Sequence, residues 1–136
     1  MKRRLTILAG ALVLAAAGCS TPAAEQPPAP AATVQILPRA DGAPSAQDVV
    51  DAFAAAGLPV PAPRDNTAAC ASDVVRCSEL VTTDAISVYV FPDETTAAEF
   101  ATADTHRAGV VVLSYATAHT PESDRPAYES TLTSLL

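Results

Sequence analysis

AISVYVFPDETTAAEFATADTHRAGVVVLSYA, residues 85–116, is the stretch on which the architecture turns. It opens with β-branched and aromatic residues that run to Phe91, and this reads as a strand over 85–91. Pro92-Asp93-Glu94 then starts a helix with acid at its positive end, and Ala97, Ala98, Phe100 and Ala101 give it an apolar side as far as His106. Valines return over 109–116, which reads as a second strand. Strand, helix, strand suggests a right-handed crossover, so the two strands are expected to lie parallel in one sheet.

Upstream, 79–81 reads as another strand, joined to 85–91 through Thr82-Thr83-Asp84 as a hairpin. Ser45-Ala46-Gln47-Asp48 has the form of a capping box, Val49, Val50, Phe53 and Ala56 mark one apolar side, and Gly57 with Pro59 supplies the stop. A helix is therefore expected over 46–56. Downstream, Thr120-Pro121-Glu122 opens a final helix carrying Tyr128, Leu132 and Leu135. Residues 58–76 are proline-rich at first, then cysteine-bearing, and follow no period. The order is (β)αββαβα. With 33–37 as a first strand, the expected fold is α+β, a two-layer sandwich of ferredoxin-like (β)αββαβ order with an extra C-terminal helix. Without it, the expectation falls back to a three-stranded mixed sheet with helices on one face.

Alternation along the two flanking strands separates Ile86, Val88 and Val90 from Tyr89 and Phe91, and Val110 and Val112 from Val111, Leu113 and Tyr115. Both faces are apolar. Tyr89, Phe91, Leu113 and Tyr115 are expected to form one face, either covered by the C-terminal helix with Tyr128, Leu132 and Leu135 or offered to a partner or apolar ligand.

Residues 20–44 hold six prolines among Ala, Thr and Gln, the composition of an extended tether. Catalytic signals are lacking. No Gly-x-Ser-x-Gly elbow, Ser-x-x-Lys or glycine-rich phosphate loop occurs, so no enzymatic activity, cofactor or metal is expected. His106 and His119, the only histidines, match no ligand spacing with Asp104 and Glu122; His106 and Arg107 fall at an expected helix C-terminus, and His119 in a loop. Asp48, Asp93, Glu94, Glu122 and Asp124 all fall in first turns of expected helices, where capping accounts for them.

Ahead of the tether, Lys2, Arg3 and Arg4 precede an almost wholly apolar run over 5–17, closed by Ala16-Ala17-Gly18-Cys19. About 13 apolar residues fall short of the roughly 20 that span a bilayer. The segment resembles a bacterial lipoprotein signal peptide with its lipobox. The resemblance implies cleavage before Cys19, a diacylglyceryl group with palmitate-type acyl chains on its sulfur, and attachment to the extracytoplasmic face of the cell membrane. The high alanine content and the arginine-only basic set after residue 18 are similar in composition to small lipoproteins of high-GC Gram-positive bacteria. The domains expected are a signal peptide over 1–18, a tether over 19–44 and a small disulfide-containing α+β domain over 45–136.

With Cys19 taken for lipid in an oxidising compartment, Cys70 and Cys77 remain as an even pair, expected to form a disulfide. Beyond residue 18 five arginines face all fifteen acids, and lysine is absent. A net charge near minus ten repels nucleic acid and anionic headgroups. The functional expectation is a membrane-anchored, non-enzymatic binding domain for an envelope protein or component, reached through the sheet-face aromatics or the disulfide loop. The alternatives are a small-ligand or lipid carrier of the cell envelope, and an envelope enzyme with an unrecognised site.

Overall fold

The computed structural model describes Pro28 and residues 35–136, and all of these except Pro28 belong to one compact unit. The signal expected over 1–18, Cys19, most of the 19–44 tether, and Thr33 and Val34 lie outside the described residues. Gln35, Ile36 and Leu37 are described and belong to no strand.

Helix α1 (Ala46–Ala55) forms where the capping box places it. The Ser45 hydroxyl accepts from the Asp48 amide, and the Asp48 carboxylate accepts from the Ser45 amide. Val49, Val50 and Phe53 fall on one side and are buried, and Gly57, with φ +78°, ends the run in the left-handed conformation.

Five strands make one open sheet: β1 (Arg64–Asp65), β2 (Glu79–Thr82), β3 (Ser87–Val90), β4 (Thr105–Ala108) and β5 (Val111–Ser114). Their order is β1-β2-β3-β5-β4, and every neighbouring pair is antiparallel. The β2–β3 connection is the expected hairpin. Thr83 organises it, its hydroxyl accepting from the amides of Ala85 and Ile86 and donating to the Ile86 carbonyl.

The parallel pairing expected for residues 85–116 is corrected. Helix α2 (Glu94–Phe100) starts at Asp93, whose carboxylate accepts from the Thr96 amide, but ends six residues short of His106. Ala101 is extended, and the β-branched and acidic residues after it are weak helix formers. Thr105 then ties back to both backbone groups of Thr102 and begins the edge strand β4. Gly109, with φ +58°, opens the two-residue loop into β5. It is a turn residue and not the start of a strand. Consequently β3 and β5 run antiparallel, while β3 and β4, the strands that α2 joins, point the same way with β5 between them. The class is α+β with a five-stranded antiparallel sheet and three helices; the ferredoxin-like order is not what the described residues form. The last helix, α3 (Arg125–Leu135), begins five residues later than Thr120.

Register assigns the faces. Val88 stands opposite Leu113, and Tyr89 opposite Val112, and residues directly opposite share a face. Val81, Val88, Val90, Val111 and Leu113 form a core with Phe53 of α1 and with Tyr128 and Leu132 of α3. The Phe53 and Tyr128 rings meet edge to face at 5.1 Å. Leu80, Phe91 and Val112 belong to a second core with Ala97, Cys70 and Cys77, against which Tyr89 and Phe100 pack. Tyr89, Phe91, Leu113 and Tyr115 therefore do not share a face. Leu113 and Tyr115 are buried in the first core, Phe91 is buried in the second, and Tyr89 alone is partly exposed.

Candidate functional site

The domain has two ends. At one, α1 begins, β2 begins, and β3 and β4 finish; at the other lie the β2–β3 turn, the exit of α1 and the start of α3. The second end carries an open cleft of about 600 Å³. Its walls come from three connections, two of which the sequence marks with proline: Leu58, Pro59 and Pro61 after α1, Asp84 and Ala85 in the β2–β3 turn, and His119, Thr120, Pro121, Ser123 and Asp124 before α3. Ala127 and Tyr128 of α3 complete it.

These connections are fixed by hydrogen bonds that cross between them. The Tyr128 hydroxyl donates to the Pro59 carbonyl at 2.7 Å, the Asp84 amide to the Pro61 carbonyl at 3.0 Å, and the buried Thr120 hydroxyl to the Ala85 carbonyl. The His119 amide donates to the Asp84 carbonyl, and its Nδ1 lies 3.1 Å from the same oxygen. Burial raises the Tyr128 hydroxyl above its ordinary pKa, so it stays a neutral donor. The floor is apolar and preformed. Asp84 and Asp124 stand at the rim, and Arg64 is engaged with Asp84 at 2.9 Å. Such a lining suits an uncharged or cationic apolar group better than an anion.

His106 does not sit at a helix C-terminus, as the sequence suggested, but on β4, facing α3. Its Nδ1 is 3.5 Å from Glu129 Oε2, and the Tyr115 hydroxyl is 3.4 Å from Glu129 Oε1. The Arg125 guanidinium lies 4.6 Å from the centre of the Tyr115 ring. Burial, then the Glu129 charge, pushes the Tyr115 hydroxyl well above its usual range, leaving it protonated. These contacts join α3 to β4 and β5. His119 lies apart, at the cleft. Among the described residues no group of three or more His, Cys, Asp or Glu side chains is gathered to hold a metal ion.

Cys70 and Cys77 are bonded, with Cα atoms 4.7 Å apart. The bond closes the loop between the short 3-10 helix Thr67–Cys70 and β2, and both cysteines are buried against the second core. Val74, midway along this loop, is 87% exposed.

The sequence therefore located the disulfide but not the cleft. Pro59, Pro61 and Pro121 were the available signal, as rigid connections that the topology brings to one end. Among the described residues no helix is long and apolar enough to cross a membrane. Comparison with protein-family models, with curated proteins and with solved structures finds no match.

Proposed function

We propose that this chain is a lipid-anchored binding module of the cell envelope, working outside the cytoplasm and performing no chemistry of its own. Acylation of Cys19 would hold it at the membrane, and the residues from 20 to 34 would tether the domain. The cleft between the post-α1 connection, the β2–β3 turn and α3 is the binding site, replacing the sheet-face aromatics that are folded into the two cores. One observation carries this reading: an apolar cleft of about 600 Å³ is of ligand size, and hydrogen bonds from Tyr128 and Thr120 pin its walls. The envelope component it takes presents an apolar group, uncharged or cationic.

The test uses a neutral apolar fluorophore, N-phenyl-1-naphthylamine. Its fluorescence should rise on binding to the wild-type protein, and an Ala127→Trp substitution, which fills the cleft from α3, should abolish the rise. An equal rise in both proteins would place apolar binding elsewhere.

A small-ligand carrier is the second reading, favoured by the same volume. Native mass spectrometry of protein extracted from its own membranes separates the two: a retained small molecule supports carriage, and its absence supports recognition of a larger partner.

A further inference from the structure

Several large apolar side chains of the domain are exposed. Among the described residues they are Ile36, Leu37, Val74, Leu135 and Leu136. The segment 35–44, which meets Glu79 at the start of β2 on the end opposite the cleft, passes two groups of them. Leu37 shares a small hollow with Cys70 and Cys77 of the disulfide loop whose tip is Val74, and residues 40–44 share another with Leu135 and Leu136 at the far end of α3. Both hollows border this one segment, which defines one flank of the domain.

Three features say what that flank meets. First, it is where the chain from Cys19 joins the domain. Residues 20–34 reach about 46 Å as a polyproline-like segment and at most about 54 Å fully extended, so anything docked there is held at high local concentration near the acyl chains. Second, each arginine of this end has a carboxylate beside it, which weakens its pull on anionic headgroups: Arg39 pairs with Glu79, Arg76 with Glu99, and Arg107 lies 3.9 Å from Glu94. Asp41 and Asp73 add negative charge beside the two hollows. Third, Val74 is presented on a loop closed by a disulfide, so little ordering is needed before it makes contact.

We propose that this flank docks on an uncharged lipid surface, with Val74 and Leu37 entering the interfacial layer. The proposal rests on the reading that Cys19 is acylated. Docking sets the orientation of the domain. Helix α3 is about 16 Å long and runs from the cleft to Leu135, so the cleft faces away from the bilayer, toward its ligand. The contact is apolar and weak by itself, and the lipid anchor makes it effective.

The chain contains no tryptophan, so a single one introduced at a chosen site reports its own surroundings. Full-length Val74→Trp and, at the cleft end, Glu122→Trp are produced in membranes, checked by mass spectrometry for acyl chains on Cys19, and reconstituted into phosphatidylcholine vesicles. The expected result is a blue-shifted emission for Val74→Trp that brominated phosphatidylcholine quenches and added phosphatidylglycerol weakens, with Glu122→Trp unaffected. Acylated protein whose Val74→Trp side chain stays in water overturns the docking and leaves the anchor standing. A blue shift that ignores lipid and grows with protein concentration overturns it too, assigning the flank to a second copy of this chain. Absence of acyl chains removes the anchor and the docking together.

Discussion

Tyr89 stands directly opposite Val112 across the antiparallel β3–β5 pair, on the face covered by Phe100 and the disulfide loop. Its sequence neighbour Val88 therefore faces Leu113 on the other side, beneath α1 and α3. Two cores result, sharing the sheet as a wall. Val88→Ala and Leu113→Ala should each cost roughly 2–4 kcal/mol and should couple, because they share one core. Phe91→Leu, in the other core, should combine with Leu113→Ala additively to within about 0.5 kcal/mol. Double-mutant cycles in urea check this, and strong coupling of Phe91 with Leu113 would contradict the division.

Removal of the Cys70–Cys77 bond should destabilise the domain without unfolding it. The loop closed has a sequence separation of 7, for which chain entropy gives about 2.5 kcal/mol. Equilibrium unfolding of the Cys70→Ala, Cys77→Ala double variant measures it. No change in midpoint would mean that the folded core alone fixes the loop.

The hydroxyl of Tyr128 anchors the floor of the cleft through Pro59. Tyr128→Phe keeps the edge-on contact with Phe53 but leaves the Pro59 carbonyl without its donor, at a cost of about 1 kcal/mol. Hydrogen exchange should quicken at Leu58, whose amide donates to the Phe53 carbonyl at the exit of α1, more than in the strands.

Ser45→Ala removes the first half of the capping box and should cost about 1 kcal/mol, with α1 fraying at its start. The same box sets a pH response. The Ser45 side chain holds the Asp48 carboxyl below its ordinary pKa, and the Thr96 amide does the same for Asp93. A depressed carboxyl contributes stability that is complete above its unfolded value, 3.8 here, and lost as the pH falls through the folded value. Thermal midpoints should therefore be flat in these groups' contribution from neutrality to about pH 5 and fall below pH 4. An Asp48→Asn, Asp93→Asn variant should show a shallower fall.

Local signals in the chain were legible where a single element decides its own form. Ser45 and Asp48 marked the start of α1 because a capping box is a contact within four residues, and Cys70 and Cys77 lie close enough in the chain to be read as a pair. Strand β4 was hidden because Thr105-His106-Arg107-Ala108 is a polar edge strand with no apolar alternation. Missing that strand turned an antiparallel return into an expected parallel crossover and changed the direction of β5. Face assignment failed for the same reason: alternation sorts residues within a strand, but only register says which set meets which. The cleft depends on three connections far apart in sequence, so no single window contained it.

The reading of the whole chain rests most on Cys19. Intact-mass and N-terminal peptide mass spectrometry of the protein extracted from membranes should find a mature chain beginning at Cys19 and carrying a diacylglyceryl group. A chain that retains residues 1–18, or begins with an unmodified Cys19, would contradict the anchor and the envelope role built on it.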